Sequence, residues 1–242
     1  MNLIDWKQRP DISRRIVAFG SSNTALSADN EGRLGWAEWL HVQAREHIGS
    51  HVSVINQGVG GETTDHLLGR IGRDVEPLSP SLVIVTIGGN DMITEMPLHR
   101  YKSNLRQICE IIRSFGAEPV LQTYYCPVYE DSGIPGFRPS FEAAMDAVRQ
   151  TADELGTVLV DPYSHFEPFY RAAPSDYRKL MRDWLHLNAC GNLAMARYLL
   201  GRLGLPPAIA PQSLEPEADL LLQRLEAHSE SQSRPFSAGL NN

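Results

Sequence analysis

The sequence predicts an α/β protein built on a five-stranded parallel sheet with helices on both faces. Two observations predict it. Short apolar, β-branched runs alternate with longer stretches of helical periodicity. The strands also read as near-continuous apolar segments, as strands covered on both faces do. The 242-residue chain is 42% hydrophobic and 21% charged, which suits one sizeable core.

Residues 15–19 (RIVAF) read as a buried strand. A helix over 34–48 follows, with Trp36, Trp39, Leu40 and Val42 on overlapping apolar faces. Residues 52–55 form a second strand, and a helix over 63–75 starts at Thr63 or Thr64 as N-cap and turns Leu67, Leu68 and Ile71 inward. Residues 82–87 (LVIVTI) carry the strongest strand signal. Helices over 97–115 and 141–155 end at Gly116 and Gly156, with strands over 119–123 and 158–160 after them. A last helix over 189–203 ends at Gly204. Residues 124–139 (YYCPVYEDSGIPGFRP) form a long aromatic, Pro/Gly-rich loop, read equally as a substrate wall or as a surface excursion packed on itself.

Beyond Pro206–Pro207 the composition shifts to Pro, Ser, Gln and Glu, which predicts a domain over 1–206 and a tail over 207–242. Leu214, Ala218, Leu221, Leu222 and Leu225 give the tail one amphipathic helix, expected to dock on the domain or on a neighbouring subunit, so a homo-oligomer stays open. From about His228 the tail reads as disordered.

Net charge is −7, with acidic residues spread along the chain. No clustered Lys/Arg face for nucleic acid is present, and a neutral or weakly charged small-molecule ester suits this balance. No apolar run approaches a membrane span, and residues 1–15 carry no apolar h-region or small-residue cleavage site. No membrane partner, no signal peptide and a cytoplasmic location are therefore expected. Cys109, Cys126 and Cys190 read as free thiols in a reducing compartment.

Three strand ends hold the residues of interest. Residues 16–24 (IVAFGSSNT) run an apolar strand into a tight turn at Ser22, with Gly20 to relax it. Residues 56–64 (NQGVGGETT) and 88–91 (GGND) follow the second and third strands. Ligands of parallel sheets bind outside the carboxyl ends of the strands, so these segments should converge on one edge. Residues 183–188 (DWLHLN) set Asp183 three residues before His186. Read singly, Ser22 is a helix cap, Asp183 a capping acid, Asn90 and Asp91 a strand-ending turn, and Gly58, Gly60 and Gly61 turn residues. Read together, they supply a hydroxyl nucleophile (Ser22), a base (His186) and a carboxylate to orient it (Asp183). The Ser22 and Gly61 N–H groups and the Asn90 amide add donors for an oxyanion.

Other signals point to ordinary structure. His47 and His51 have i,i+4 spacing, but Gly49–Ser50 interrupts the helix and no third ligand follows, so a solvated helix end and no metal are expected. Gly58–Gly61 lacks the third glycine of a dinucleotide fingerprint and there is no GK[ST] loop, so no cofactor is expected. Cys190, close behind His186, is expected to face the core rather than act as a nucleophile.

The blocks GSSNT (20–24), NQGVGGETT (56–64), GGND (88–91) and DWLH (183–186) together resemble those of the SGNH hydrolases, the GDSL esterase/lipase superfamily, over about residues 15–203. The resemblance implies a flavodoxin-like, three-layer α/β/α sandwich. It implies Ser22 as nucleophile, Asp183 and His186 completing a triad, and Ser22, Gly61 and Asn90 as oxyanion hole. Metal-independent ester hydrolysis through an acyl-enzyme follows. The sequence departs from the family at Ser21, where Asp is usual, and at Leu187, where Pro usually follows the histidine. Altered turn stability rather than lost activity is expected. The pattern is similar to members that remove acetyl groups from carbohydrates. Tyr124, Tyr125, Tyr129 and Trp184 suit stacking on a small polar or sugar-like alcohol, and no long apolar lid adjoins the site, so a short-chain, acetyl-type esterase is expected. A thioesterase or lysophospholipase, an O-acyltransferase and a non-catalytic carbohydrate-binding relative are the other readings, the last supported by Ser21 alone.

Overall fold

The computed structural model of the chain describes residues 1–25 and 33–208. The expected tail helix lies outside these residues. Five parallel strands, β1 (Arg14–Gly20), β2 (Val52–Gly58), β3 (Leu82–Thr86), β4 (Glu118–Gln122) and β5 (Val158–Val160), form one sheet in the order β2-β1-β3-β4-β5. Strands β1, β3 and β4 are buried almost throughout, whereas β2 and β5, at the edges, are only partly covered. This is the expected sheet, and the continuous apolar runs mark its centre.

The helices are α1 (Trp36–His47), α2 (Thr64–Asp74), α3 (Gly89–Ile93), α4 (Leu98–Ser114), α5 (Phe137–Leu155), α6 (Pro162–Ala172), α7 (Pro174–Tyr177) and α8 (Ala189–Arg202). The chain leaves β1 toward β2 and then crosses to build β3, β4 and β5 on the other side. Right-handed crossovers in opposite directions place their helices on opposite faces. Accordingly α1 packs with α8, while α2, α4 and α5 pack in succession, giving three layers. In α4 the residues Tyr101, Leu105, Ile108 and Ile112 recur at helical spacing and are all buried. Thr63 is the N-cap of α2, and its N–H donates to His66 Nδ1 at 3.1 Å.

Three elements go beyond the sequence expectation. Helix α6 begins with Asp161 as N-cap, accepting from Ser164 N, and Pro162 in its first turn. Those two residues carry a helix-start signal that apolar periodicity alone does not single out. Helices α3 and α7 are single turns, too short for periodicity to mark. The loop expected over 124–139 is shorter, because α5 starts at Phe137. Its first part, residues 124–129, is buried.

The topology fixes where a ligand belongs. Strand order reverses at β1, and such a switch point opens a crevice at the carboxyl ends of the strands. Strands β2, β1 and β3 end level there, with Gly20 opposite both Gly58 and Thr86. Gly20 is required by close approach and not by an unusual backbone angle. A Cβ on it would lie 2.3 Å from the Thr86 carbonyl oxygen and 2.4 Å from Thr24 Oγ1. Gly20→Ala should therefore lower the unfolding free energy by about 1–3 kcal/mol through overpacking, read by denaturant titration. An unchanged midpoint would contradict this packing.

Candidate active site

Ser22, Gly61, Asn90 and His186 come from four separate segments at this edge. The turn after β1 is closed by Thr24 N and Ala25 N, which both donate to Ser21 O at 3.0 Å. Its outer side holds Ser22, whose Oγ lies 2.9 Å from His186 Nε2. On the other side of the ring, His186 Nδ1 is 2.8 Å from Asp183 Oδ2 and 3.0 Å from Asp183 Oδ1. The Asp183–His186 spacing works because the carboxylate also closes its own turn, accepting from the N–H groups of Leu185 and His186 at 2.8 Å each. Burial opposes its ionisation, but those two amides and the His186 ring outweigh it and hold the carboxyl below its ordinary range. A bridge between Met181 and Leu187 shuts the base of the loop. Helix α8 then starts at Asn188, whose side chain accepts from Gly191 N at 3.0 Å, so Asp183 is not the cap of that helix.

The loop after β2 passes beside Ser22. A Cβ on Gly60 would lie 3.9 Å from Ser22 Cβ, and Gly61 has φ +82°, a left-handed conformation that favours glycine. Asn90, in the first turn of α3, donates from Nδ2 to Glu62 O at 2.9 Å. That bond uses one amide hydrogen and leaves the second as a donor. Next to it Asp91 is fully buried, its Oδ1 accepting from Thr64 N at 2.9 Å and Thr64 Oγ1 at 2.6 Å. Burial pushes the Asp91 carboxyl up, against the Thr64 bonds.

The two departures from the family pattern have structural accounts. Ser21 is buried beneath the turn, and its Oγ meets the Tyr124 hydroxyl at 2.8 Å. Leu187 N donates to the Tyr125 hydroxyl at 3.2 Å, a bond that proline cannot make.

The tyrosines are not where stacking on a substrate requires them. Tyr124 and Tyr125 are each 1% exposed and Tyr129 8%. Their segment runs straight from β4 into an aromatic core rather than out over the surface. Tyr129 OH meets Tyr163 OH at 2.8 Å, and its ring packs against Phe137, Phe141 and Tyr170. The Tyr125 hydroxyl sits between Asn23 Oδ1 and Leu185 O, 2.6 Å from the latter. It thus joins the Ser22 turn to the His186 loop. Trp184 is half-buried, edge-on to Phe137 with ring centroids 5.2 Å apart.

Cys190 is exposed, contrary to expectation, because Gly191 and Asn192 are the residues that α8 turns inward. Cys109 and Cys126 are buried, and burial pushes both thiols up to about 12. His47 Nε2 meets Gln43 Oε1 at 3.2 Å and His51 Nε2 meets Trp6 O at 3.1 Å. Two polar residues have no role in the motif reading: Arg70, outside the motifs, and Glu62, inside the 56–64 block; they pair at 2.6 Å. The available signal is a cation between Leu67 and Ile71 on the apolar face of α2.

A cavity of ≈ 20 Å³ opens beside Ser22, lined by Asn23, Thr24, Arg182, His186 and Asn192 among others. The arrangement can move a proton from a hydroxyl to an imidazole held by a carboxylate. The Gly60–Gly61 loop passes close to Ser22, and the Asn90 amide keeps one hydrogen to donate.

The model of the GDSL-like Lipase/Acylhydrolase family matches residues 18–194. Among curated relatives, the uncharacterized lipoprotein YqeF of Bacillus subtilis is 27% identical over 62% of this chain and 71% of its own length. An arylesterase of Vibrio mimicus is 32% identical over 48% of this chain and 56% of its own. An acetylxylan esterase of Geobacillus stearothermophilus is 26% identical over 63% and 73%. The crystal structure of Axe2, an acetylxylan esterase from that organism, superposes with a TM-score of 0.68 at 21% identity, covering 82% of this chain and 98% of its own. This last likeness is one of fold.

Tyr125→Phe removes one oxygen and keeps the ring. It should lower kcat for an activated acetate ester by about 10-fold with little change in KM, because the Ser22 and His186 loops lose their shared bond. Unchanged kcat in the folded variant would contradict that role.

Proposed function

The chain belongs to the GDSL-like lipase/acylhydrolase family, and from that membership we propose that it is a short-chain, acetyl-type serine esterase with Ser22 as nucleophile. It is a carboxylic ester hydrolase, as the relatives named arylesterase, esterase TesA and acetylxylan esterase are by their names. The observation that carries the finer reading is the hydrogen-bonded series Ser22 Oγ, His186 Nε2, His186 Nδ1 and Asp183 Oδ2, with steps of 2.9 and 2.8 Å between partners.

In this reading His186 takes the Ser22 proton as Oγ attacks the ester carbonyl. The Ser22 and Gly61 N–H groups and the Asn90 amide receive the oxyanion. His186 then passes the proton to the departing alcohol, leaving Ser22 acylated. Water, deprotonated by His186, attacks the acyl-enzyme, and the acid departs as the proton returns to Ser22. Asp183 keeps the ring in the tautomer with Nδ1–H and stabilises the imidazolium.

The acetylxylan esterase relative supports O-acetyl groups on a carbohydrate as the substrate class. In this reading the half-buried Trp184, next to Asp183 in sequence, meets the alcohol portion, in place of the buried tyrosines.

A series of nitrophenyl acetate, butyrate, octanoate and decanoate, together with acetylated xylo-oligosaccharides, tests the reading. The value of kcat/KM should peak at acetate and fall about 10-fold or more by octanoate, with acetate released from the oligosaccharides. Ser22→Ala should lose at least about 10³-fold in kcat. A maximum at octanoate or decanoate would replace this reading with a long-chain acyl hydrolase, and an active Ser22→Ala would overturn the mechanism.

A further inference from the structure

The oxyanion donors proposed above sit on three separate segments, and one buried side chain touches the supports of all three. Arg70, on α2, has a side chain only 5% exposed. Its Nε donates to Glu62 Oε2 at 2.6 Å. Its Nη2 donates to Gly20 O at 3.2 Å and to Gln57 O at 2.8 Å, and its Nη1 to Asp74 Oδ2 at 3.4 Å. The guanidinium carbon lies 4.5 Å from the centre of the Phe19 ring.

Each acceptor has a place in the site. Gly20 ends β1, two residues before Ser22. Gln57 is the last residue but one of β2, just before the Gly60–Gly61 loop. Glu62 directly follows Gly61, and its backbone carbonyl is the acceptor that holds the Asn90 amide. One guanidinium therefore ties the segment bearing the Ser22 N–H to the segment bearing the Gly61 N–H. Through Glu62 it also sets the carbonyl that aims Asn90. A planar fork with several fixed donors can make these bonds together, and an ammonium at one point cannot.

We propose that Arg70 and Glu62 are positioning residues for the oxyanion hole. They touch no substrate and act through Gly61 and Asn90. The buried pair is retained for this geometry, because a buried ion pair adds little net stability over apolar packing. The inference rests on the serine-esterase reading above, and the test separates the two.

The experiment measures kcat and KM for nitrophenyl acetate in Glu62→Ala, Glu62→Gln, Arg70→Lys, Asn90→Ala and the Glu62→Ala/Asn90→Ala double variant. Circular dichroism and thermal unfolding establish that each is folded. Glu62→Ala keeps the backbone carbonyl and removes only its anchor. It should lower kcat by about 10- to 100-fold with KM changed by less than about 2-fold. Glu62→Gln should recover much of that loss, since its amide oxygen can accept from Arg70 Nε, whereas Arg70→Lys should not. In the Asn90→Ala background, Glu62→Ala should cost less than about 3-fold, because residues acting through one group are not additive. The proposal is overturned if folded Glu62→Ala and Arg70→Lys keep wild-type kcat, or if the Glu62→Ala loss is undiminished in the double variant. An active Ser22→Ala would instead overturn the underlying reading, whatever Glu62 does.

Discussion

A hydrogen bond of 2.9 Å joins Ser22 Oγ to His186 Nε2 across 164 residues of sequence. Holding it needs two loops fixed to a fraction of an ångström, and much of the molecule can be understood as meeting that demand. The Ser22 turn hangs from the central strand β1, where strand order reverses and the neighbouring strands end level. The His186 loop hangs from α8, which packs on α1. Trp36 of α1 donates from Nε1 to Asn23 O at 2.8 Å, and its N–H reaches Asn192 Oδ1 at 3.3 Å. The first bond ends beside Ser22, and the second ends on α8, whose Asn192 Nδ2 reaches back to Leu187 O at 3.4 Å. Tyr125 closes the circuit between the two loops.

The buried polar groups follow the same logic. The interior of the sheet is apolar, with Val17, Phe19, Val83, Ile84, Val120 and Leu121 at or near zero exposure. Ser21, Arg70, Asp91, Asn104 and Asn192 gather instead at or near its carboxyl edge, where three segments must be aligned with one another. Packing alone is nondirectional and leaves loops free to shift, whereas fixed donors and acceptors set distance and angle. The cost is visible at Asp91, where burial pushes the carboxyl up. The return is that Thr64, and with it the start of α2, is held against α3.

The fold and the candidate triad were legible in the sequence for one reason. Their signals are local: apolar runs for strands, helical spacing, and short blocks around Ser22, Gly61, Asn90 and His186. The role of the tyrosines was not legible. An aromatic segment rich in proline and glycine reads alike whether it lies on a surface or in a core, and its burial depends on α5, α6 and α7 folding around it. Arg70 was hidden for a similar reason. A cation on an apolar helix face announces a buried partner but does not say which one, and Glu62 is found only once α2 is placed against the strand ends. Cys190 was misplaced because α8 turns a glycine and an asparagine inward where periodicity suggests a larger side chain.

In the proposed mechanism the chain works through an acylated Ser22. Rapid quenching of the enzyme with an activated acetate ester, followed by peptide mass spectrometry, tests it most directly. One acetyl group is expected on the peptide containing Ser22, present during turnover and gone once the substrate is exhausted. Turnover without acetylation of Ser22, or with acetyl carried on another side chain such as Cys190, would contradict it.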